Sequence, residues 1–142
     1  MNLFLNYLKK LFKFNKSKSF PGIIAAKVIG VEKHPDADRL RIIKLDGGGK
    51  EIFPIVCGAF NFDVGAMVAL ALPGACIAQN IHSTTHEPFL LEKAKIRGIE
   101  SQGMICAAFE LGLSQEPGKG IMLLKDNLSP GTEFTSDMIK AL

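Results

Sequence analysis

Four ionisable side chains, His34, Asp36, Asp38 and Arg39, fall within the six residues HPDADR. Paired carboxylates beside an imidazole are what proton transfer uses, so the stretch is tested first as an acid–base site. Pro35 has no N–H to donate, however, and aspartates close turns by bonding nearby backbone N–H groups. A turn feeding a basic strand accounts for the cluster better than catalysis does. In an extended strand beyond it, Arg39 and Arg41 share one face, with Leu40 and Ile42 on the other. Lys93, Lys95 and Arg97 repeat the pattern, interleaved with Ala94 and Ile96. Three cations about 6.6 Å apart on one strand face roughly match successive phosphates of a nucleic-acid strand, and neutralising phosphates releases counterions. An ordinary solvated strand face is the competing reading. Nearby, Phe60 and Phe62 flank Asn61 in GAFNFDVG, where loop aromatics either stack unpaired bases or plug a barrel end.

Two other groupings carry less. His82 and His86 have the i, i+4 spacing of a helical metal pair, but Ser83, Thr84 and Thr85 are poor helix formers and Pro88 follows. No glutamate lies between them, as a zinc-peptidase motif requires. A polar hairpin loop is expected and no metal, so a metal-dependent hydrolase ranks last. Cys57, Cys76 and Cys106 form no CxxC pair. Cys57 and Cys106 end apolar runs and read as small buried core residues, with thiols kept reduced in a cytoplasmic protein. No cofactor is expected.

The elements that must position these residues read as β. The run IIAAKVIGV predicts a strand ending at His34-Pro35, and RLRIIKL a second ending at Asp46-Gly47-Gly48-Gly49. EIFPIVCGA predicts a third, with Pro54 placing part of it at an edge or bulge. MVALAL, LEKAKIRG, GMICAAF and GIMLL follow, separated by glycine- and proline-rich loops. FTSDMIKAL predicts a closing helix capped by Thr135 or Ser136. Short strands with many glycine turns imply an all-β barrel or sandwich.

The chain has 142 residues and is 47% hydrophobic, enough for one domain with a real core plus a tail. Its net charge of +3 is unevenly spread. Residues 1–20 carry five lysines and no acid, which leaves the body at −2. Overall basicity therefore argues for no partner. Phe4, Leu8, Leu11 and Phe12 predict a short basic amphipathic helix that docks on a partner, on acidic lipid or on its own domain. It is too short to span a membrane and has no signal-peptide cleavage pattern. The expected division is a leader and linker over 1–20 and a domain over 21–142.

Taken in order, HPDADRLRI, IVCGAFN, LPGA, KAKIRGIESQGM and AAFELGL resemble the tRNA-binding module of the bacterial phenylalanine–tRNA ligase β subunit. Free-standing tRNA-binding proteins share it. The resemblance runs from about Gly22 to Leu124 and implies an OB-fold, a five-stranded Greek-key barrel often used to bind nucleic acid. It also implies that Lys93, Lys95, Arg97, Ser101 and Met104 lie near a tRNA-facing surface, since RGIESQGM matches the family's RGxxSxGM pattern. Asn61 matches the asparagine of the family's CGAPN loop, and Phe60 stands where that loop has proline. The segment CIAQNIHSTTHEPFLLE is longer than the family's equivalent, which places both histidines on an inserted hairpin.

The expectation is a non-catalytic module that grips the tRNA backbone, with Arg39, Arg41, Phe60 and Asn61 adding to the contact. It recruits tRNA to a synthetase subunit or acts free-standing, and a fragment of a larger β subunit fits equally. The alternative is a protein-binding, dimerising or chaperone-like OB module with the leader as its docking helix, favoured by the near-neutral body.

Overall fold

The computed structural model describes residues 18–118 and 120–141, together with Leu3. The basic amphipathic helix expected before the NKSKS linker lies, apart from Leu3, outside them.

The first strand, β1 (Ser19–Lys33), is rich in isoleucine and valine, whose branched side chains suit a pleated surface. It takes in Ser19 and Phe20, which the sequence reading assigned to the linker. Next come β2 (Arg41–Asp46), β3 (Glu51–Cys57) and β4 (Met67–Ala71). Short strands β5 (Cys76–Ile77) and β6 (Phe89–Leu90) pair with each other, as do β7 (Ala94–Ile96) and β8 (Ile99–Ser101). The remaining strands are β9 (Met104–Ile105), β10 (Leu123–Leu124), β11 (Glu133–Thr135) and β12 (Ile139–Ala141).

β1 is long enough to pair antiparallel with β2 along Lys27–Lys33 and with β4 along Ile23–Lys27, and it also meets β11. The main sheet runs β12-β10-β4-β1-β2-β3, with β9 added beside β4. Its far edge is not left open. The Gln102 N–H donates to the Pro54 carbonyl at 2.9 Å, and the Val56 N–H donates to Ser101 Oγ at 3.0 Å. These bonds carry β3 round to the chain segment that enters β9, so the sheet curls into a barrel-like closure that covers an otherwise exposed edge. Pro54 sits at the end strand, where the β2–β3 register shifts between Ile43 and Leu45.

Every residue of β4 is buried because the strand has core on both faces. Val68 and Leu70 join Ala26, Val28, Ile43, Leu45, Ile55 and Ile105 in one apolar cluster. Met67, Ala69 and Ala71 join Ile23, Ala25, Met122, Leu124 and Phe134 in a second.

The closing helix is corrected. FTSDMIKAL forms β11, a single 3₁₀ turn over Ser136–Met138, and β12. Phe134 is fully buried and stacks at 5.3 Å from Phe20, while Ile139 pairs with Leu124. The Thr135 hydroxyl, read as a helix cap, donates to the Asp137 carboxylate within the turn. So short a segment gains little from helix nucleation, and strand pairing over the core prevails.

Candidate nucleic-acid interface

The HPDADR stretch is a turn whose histidine is built into the protein. His34 is 1% exposed. Its Nδ1 accepts the Asp36 N–H at 3.0 Å, which leaves Nε2 to donate to the Ile96 carbonyl at 3.3 Å. The Arg97 guanidinium in turn donates to the Asp36 carbonyl at 3.2 Å. Two bonds spanning some sixty residues of sequence thus clamp the β7–β8 hairpin to this turn. Asp38 pairs with Lys33 at 3.4 Å in solvent. No proton-transfer site is assembled here.

The hairpin itself changes the expected row of cations. Arg97 and Gly98 link β7 to β8 with φ of 50° and 90°, the two positive values of a type I′ turn. Lys93, just before β7, and Lys95, within it and opposite Glu100, are exposed. Arg97 leaves the row and reaches back to the turn. Among the described residues, no ion pair ties up Lys93, Lys95 or Arg97.

Arg39 and Arg41 do not share a strand face, because β2 opens at Arg41 and Arg39 lies exposed in the preceding turn. Arg41 instead holds the loop after β3. Its guanidinium donates to the carbonyls of Ala59 and Phe62 at 3.1 and 3.0 Å. It also lies between two rings, 4.8 Å from the Phe60 centroid and 4.7 Å from that of Phe62. Phe62 is buried, whereas Phe60 is 55% exposed and rests on a cation.

Asn61 and Ser101 are committed to the backbone. The Asn61 side chain donates to the Ile121 carbonyl at 2.9 Å and accepts the Ile121 N–H at 3.1 Å. A Cβ on Gly120 would come within 2.5 Å of that amide, so only glycine permits the clasp. Ser101 is 3% exposed, not at a surface; besides accepting the Val56 N–H it donates to the Gly103 carbonyl at 2.8 Å. Gly103 lets the chain pass 2.6 Å, measured from its would-be Cβ, from the Ala71 carbonyl oxygen. Met104 follows, half-buried at the start of β9.

Met104 also faces a cleft of about 450 Å³ that sequence reasoning did not anticipate. Its wall includes Leu40, Cys57, Ile96, Ile105 and Ile121, and, among the described residues, His82 and Glu110. Glu110 is 8% exposed, and its Oε1 accepts the Ala107 N–H at 2.8 Å. Burial pushes the Glu110 carboxyl up, against the opposing pull of that bond and of the His82 charge. Burial likewise raises the Cys57 and Cys106 thiols, which speaks against thiolate chemistry, while Cys76 is exposed. In AAFELGL nothing marked Glu110 as buried, because the residues around it are far apart in sequence.

His82 and His86 occupy the loop joining β5 to β6. His86 has φ of 50° and sets its ring edge-on to Phe109, with centroids 4.9 Å apart. Among the described residues, no three His, Cys, Asp or Glu side chains gather as metal ligands would. Nor does any described helix have the length and apolarity to cross a membrane.

Closed strands, exposed cations on one hairpin, an aromatic platform and an apolar cleft define a barrel-like binding module. Residues 23–133 match the family described as "Putative tRNA binding domain". The chain belongs to this tRNA-binding domain family. It is 43% identical over 115 residues to the phenylalanine–tRNA ligase β subunit of Pseudoalteromonas translucida (strain TAC 125), covering 81% of this chain and 13% of that protein. Against the same subunit of Protochlamydia amoebophila (strain UWE25) the identity is 45% over 119 residues, covering 84% of this chain and 14% of the relative. The β subunit of Ralstonia nicotianae is 43% identical over 115 residues, with 81% and 14% covered. The chain thus spans about one seventh of the length of these relatives.

Proposed function

We propose that the chain is a non-catalytic module that binds tRNA, either free-standing or by recruiting it to a synthetase of the phenylalanine–tRNA ligase kind. The observation that carries this reading is the family match along the whole barrel, from β1 into β11. The geometry supports it with accessible cations at Lys93 and Lys95 on a hairpin held rigid by His34 and Arg97. Arg39, exposed in the adjoining turn, extends that charge.

Phe60 offers its outer ring face to an unpaired base, with Arg41 stacked behind it. Arg41, Asn61 and Ser101 act by holding loops in place; Met104 lines the neighbouring cleft. In finer terms the barrel is read as the five-stranded Greek key of an OB-fold, formed by β1, β2, β3, β4 and the β9 segment. A synthetase subunit or a second copy of the chain is the expected protein partner, membrane-surface contact by residues 1–20 is an added candidate, and the setting is cytoplasmic.

Fluorescence-anisotropy titration of labelled tRNA into the 142-residue chain tests the reading. Saturable binding that unlabelled tRNA displaces is expected. Absence of binding at low salt, where phosphate contacts are strongest, contradicts it and leaves the protein-docking alternative standing.

A further inference from the structure

The cleft beside the cationic hairpin presents an unusual combination. Its walls are apolar, yet Glu110 lines it with one oxygen unspent. Oε1 takes the Ala107 N–H, whereas Oε2 accepts no hydrogen bond from any described residue. Among the described residues the Arg41 Nε alone is a buried side-chain polar atom without a partner, so Oε2 stays open to the cleft, with His82 in the same wall, and can accept from a ligand that brings donors.

The ligand's other features follow from the wall. Leu40 and Ile96 line the cleft. Lys95 precedes Ile96 on β7 and so projects to the opposite face. A ligand that fits has a flat apolar body and a hydrogen-bond donor edge. On the tRNA-binding reading that is a base of the bound RNA, and the volume of about 450 Å³ falls within the range of small-ligand pockets.

Among the four bases, only guanine presents two adjacent donors, N1–H and the N2 amino group, along its pairing edge. Adenine and cytosine set a ring-nitrogen acceptor beside their amino group, and uracil flanks its single N–H with two carbonyls. Each of these turns lone pairs toward a carboxylate. We propose that the cleft receives one unpaired guanine of the bound RNA, with Glu110 as the residue that selects it. The inference rests on the tRNA-binding reading and adds a base preference to it.

The test is a set of ¹H–¹⁵N spectra of the 142-residue chain with GMP, AMP, CMP and UMP, each to roughly 10 mM so that millimolar affinity registers. Inorganic phosphate at the same concentration supplies the baseline. GMP is expected to shift the amides of Ala107, Gly120 and Ile121, and the other three to act roughly tenfold or more weakly.

Glu110→Gln keeps a carbonyl for the Ala107 N–H and replaces Oε2 with an amino group. It is expected to lose the GMP preference while remaining folded by circular dichroism. Equal shifts with all four nucleotides, or none beyond phosphate, overturn the proposal. If wild-type tRNA binding persists in that case, only the guanine pocket falls; if tRNA binding is also absent, the module reading falls with it.

Discussion

Side chains that look alike in sequence divide into those that hold the loops and those left free. Ser101 has both hydrogen-bonding roles filled inside the protein, so Ser101→Ala leaves the buried Val56 N–H without an acceptor. A loss of about 1–3 kcal/mol in urea denaturation is expected, and tRNA affinity should follow the fraction folded. Phe60 is the converse case. Phe60→Ala removes a half-exposed ring from above Arg41 and should leave the melting temperature nearly unchanged. Anisotropy should show weaker tRNA binding, by about 1–3 kcal/mol for one lost base stack. The three thiols separate in the same way, because burial holds Cys57 and Cys106 in the neutral form while Cys76 is exposed. Mass spectrometry after brief alkylation of the native protein should find Cys76 modified, and the other two only once denaturant is added. Burial of Cys57 and Cys106 was legible from the apolar runs they end, but that of Ser101 was not legible in the motif RGIESQGM, where serine and arginine look equally accessible. Arg97 left its expected row because the two-residue connection to β8 demands positive φ, a requirement that the alternation of cations conceals.

At the scale of elements, the strands were legible because β-branched runs and glycine turns mark them locally. β1, β2 and β3 overlap IIAAKVIGV, RLRIIKL and EIFPIVCGA, although β1 begins earlier at Ser19, β2 opens only at Arg41 and β3 ends at Cys57. The closing helix failed because a capping pattern is local, while burial of Phe134 and pairing of Ile139 depend on strands far earlier in the chain. The turn–hairpin clamp was equally hidden, since His34 and Ile96 are brought together only by the fold. His34→Ala removes both of its bonds and strands the Asp36 N–H. Hydrogen exchange should then quicken across β7 and β8 while β1 and β4 stay protected, because the clamp holds the hairpin and not the core.

For the whole molecule, the cleft is what closure creates. Leu40, Cys57, Ile96, Glu110 and Ile121 come from five separate segments, so no window of sequence contains it. Glu110 gives the molecule a pH signature. Its folded-state pKa lies above the ordinary glutamate value, so in the window between the two the native state binds more protons than the unfolded chain. Stability contributed by that group is therefore greatest at the acid side of the window and declines as pH rises through it. Urea midpoints measured across the window should fall less with rising pH for Glu110→Gln than for the wild type.

The central claim is that Lys93 and Lys95 meet phosphates of tRNA. Its most direct measurement is the salt dependence of tRNA affinity for the wild type and for the Lys93→Ala, Lys95→Ala double variant. Loss of two phosphate contacts predicts weaker binding and a log–log salt slope shallower by roughly 1.5. An unchanged affinity with an unchanged slope would contradict the account.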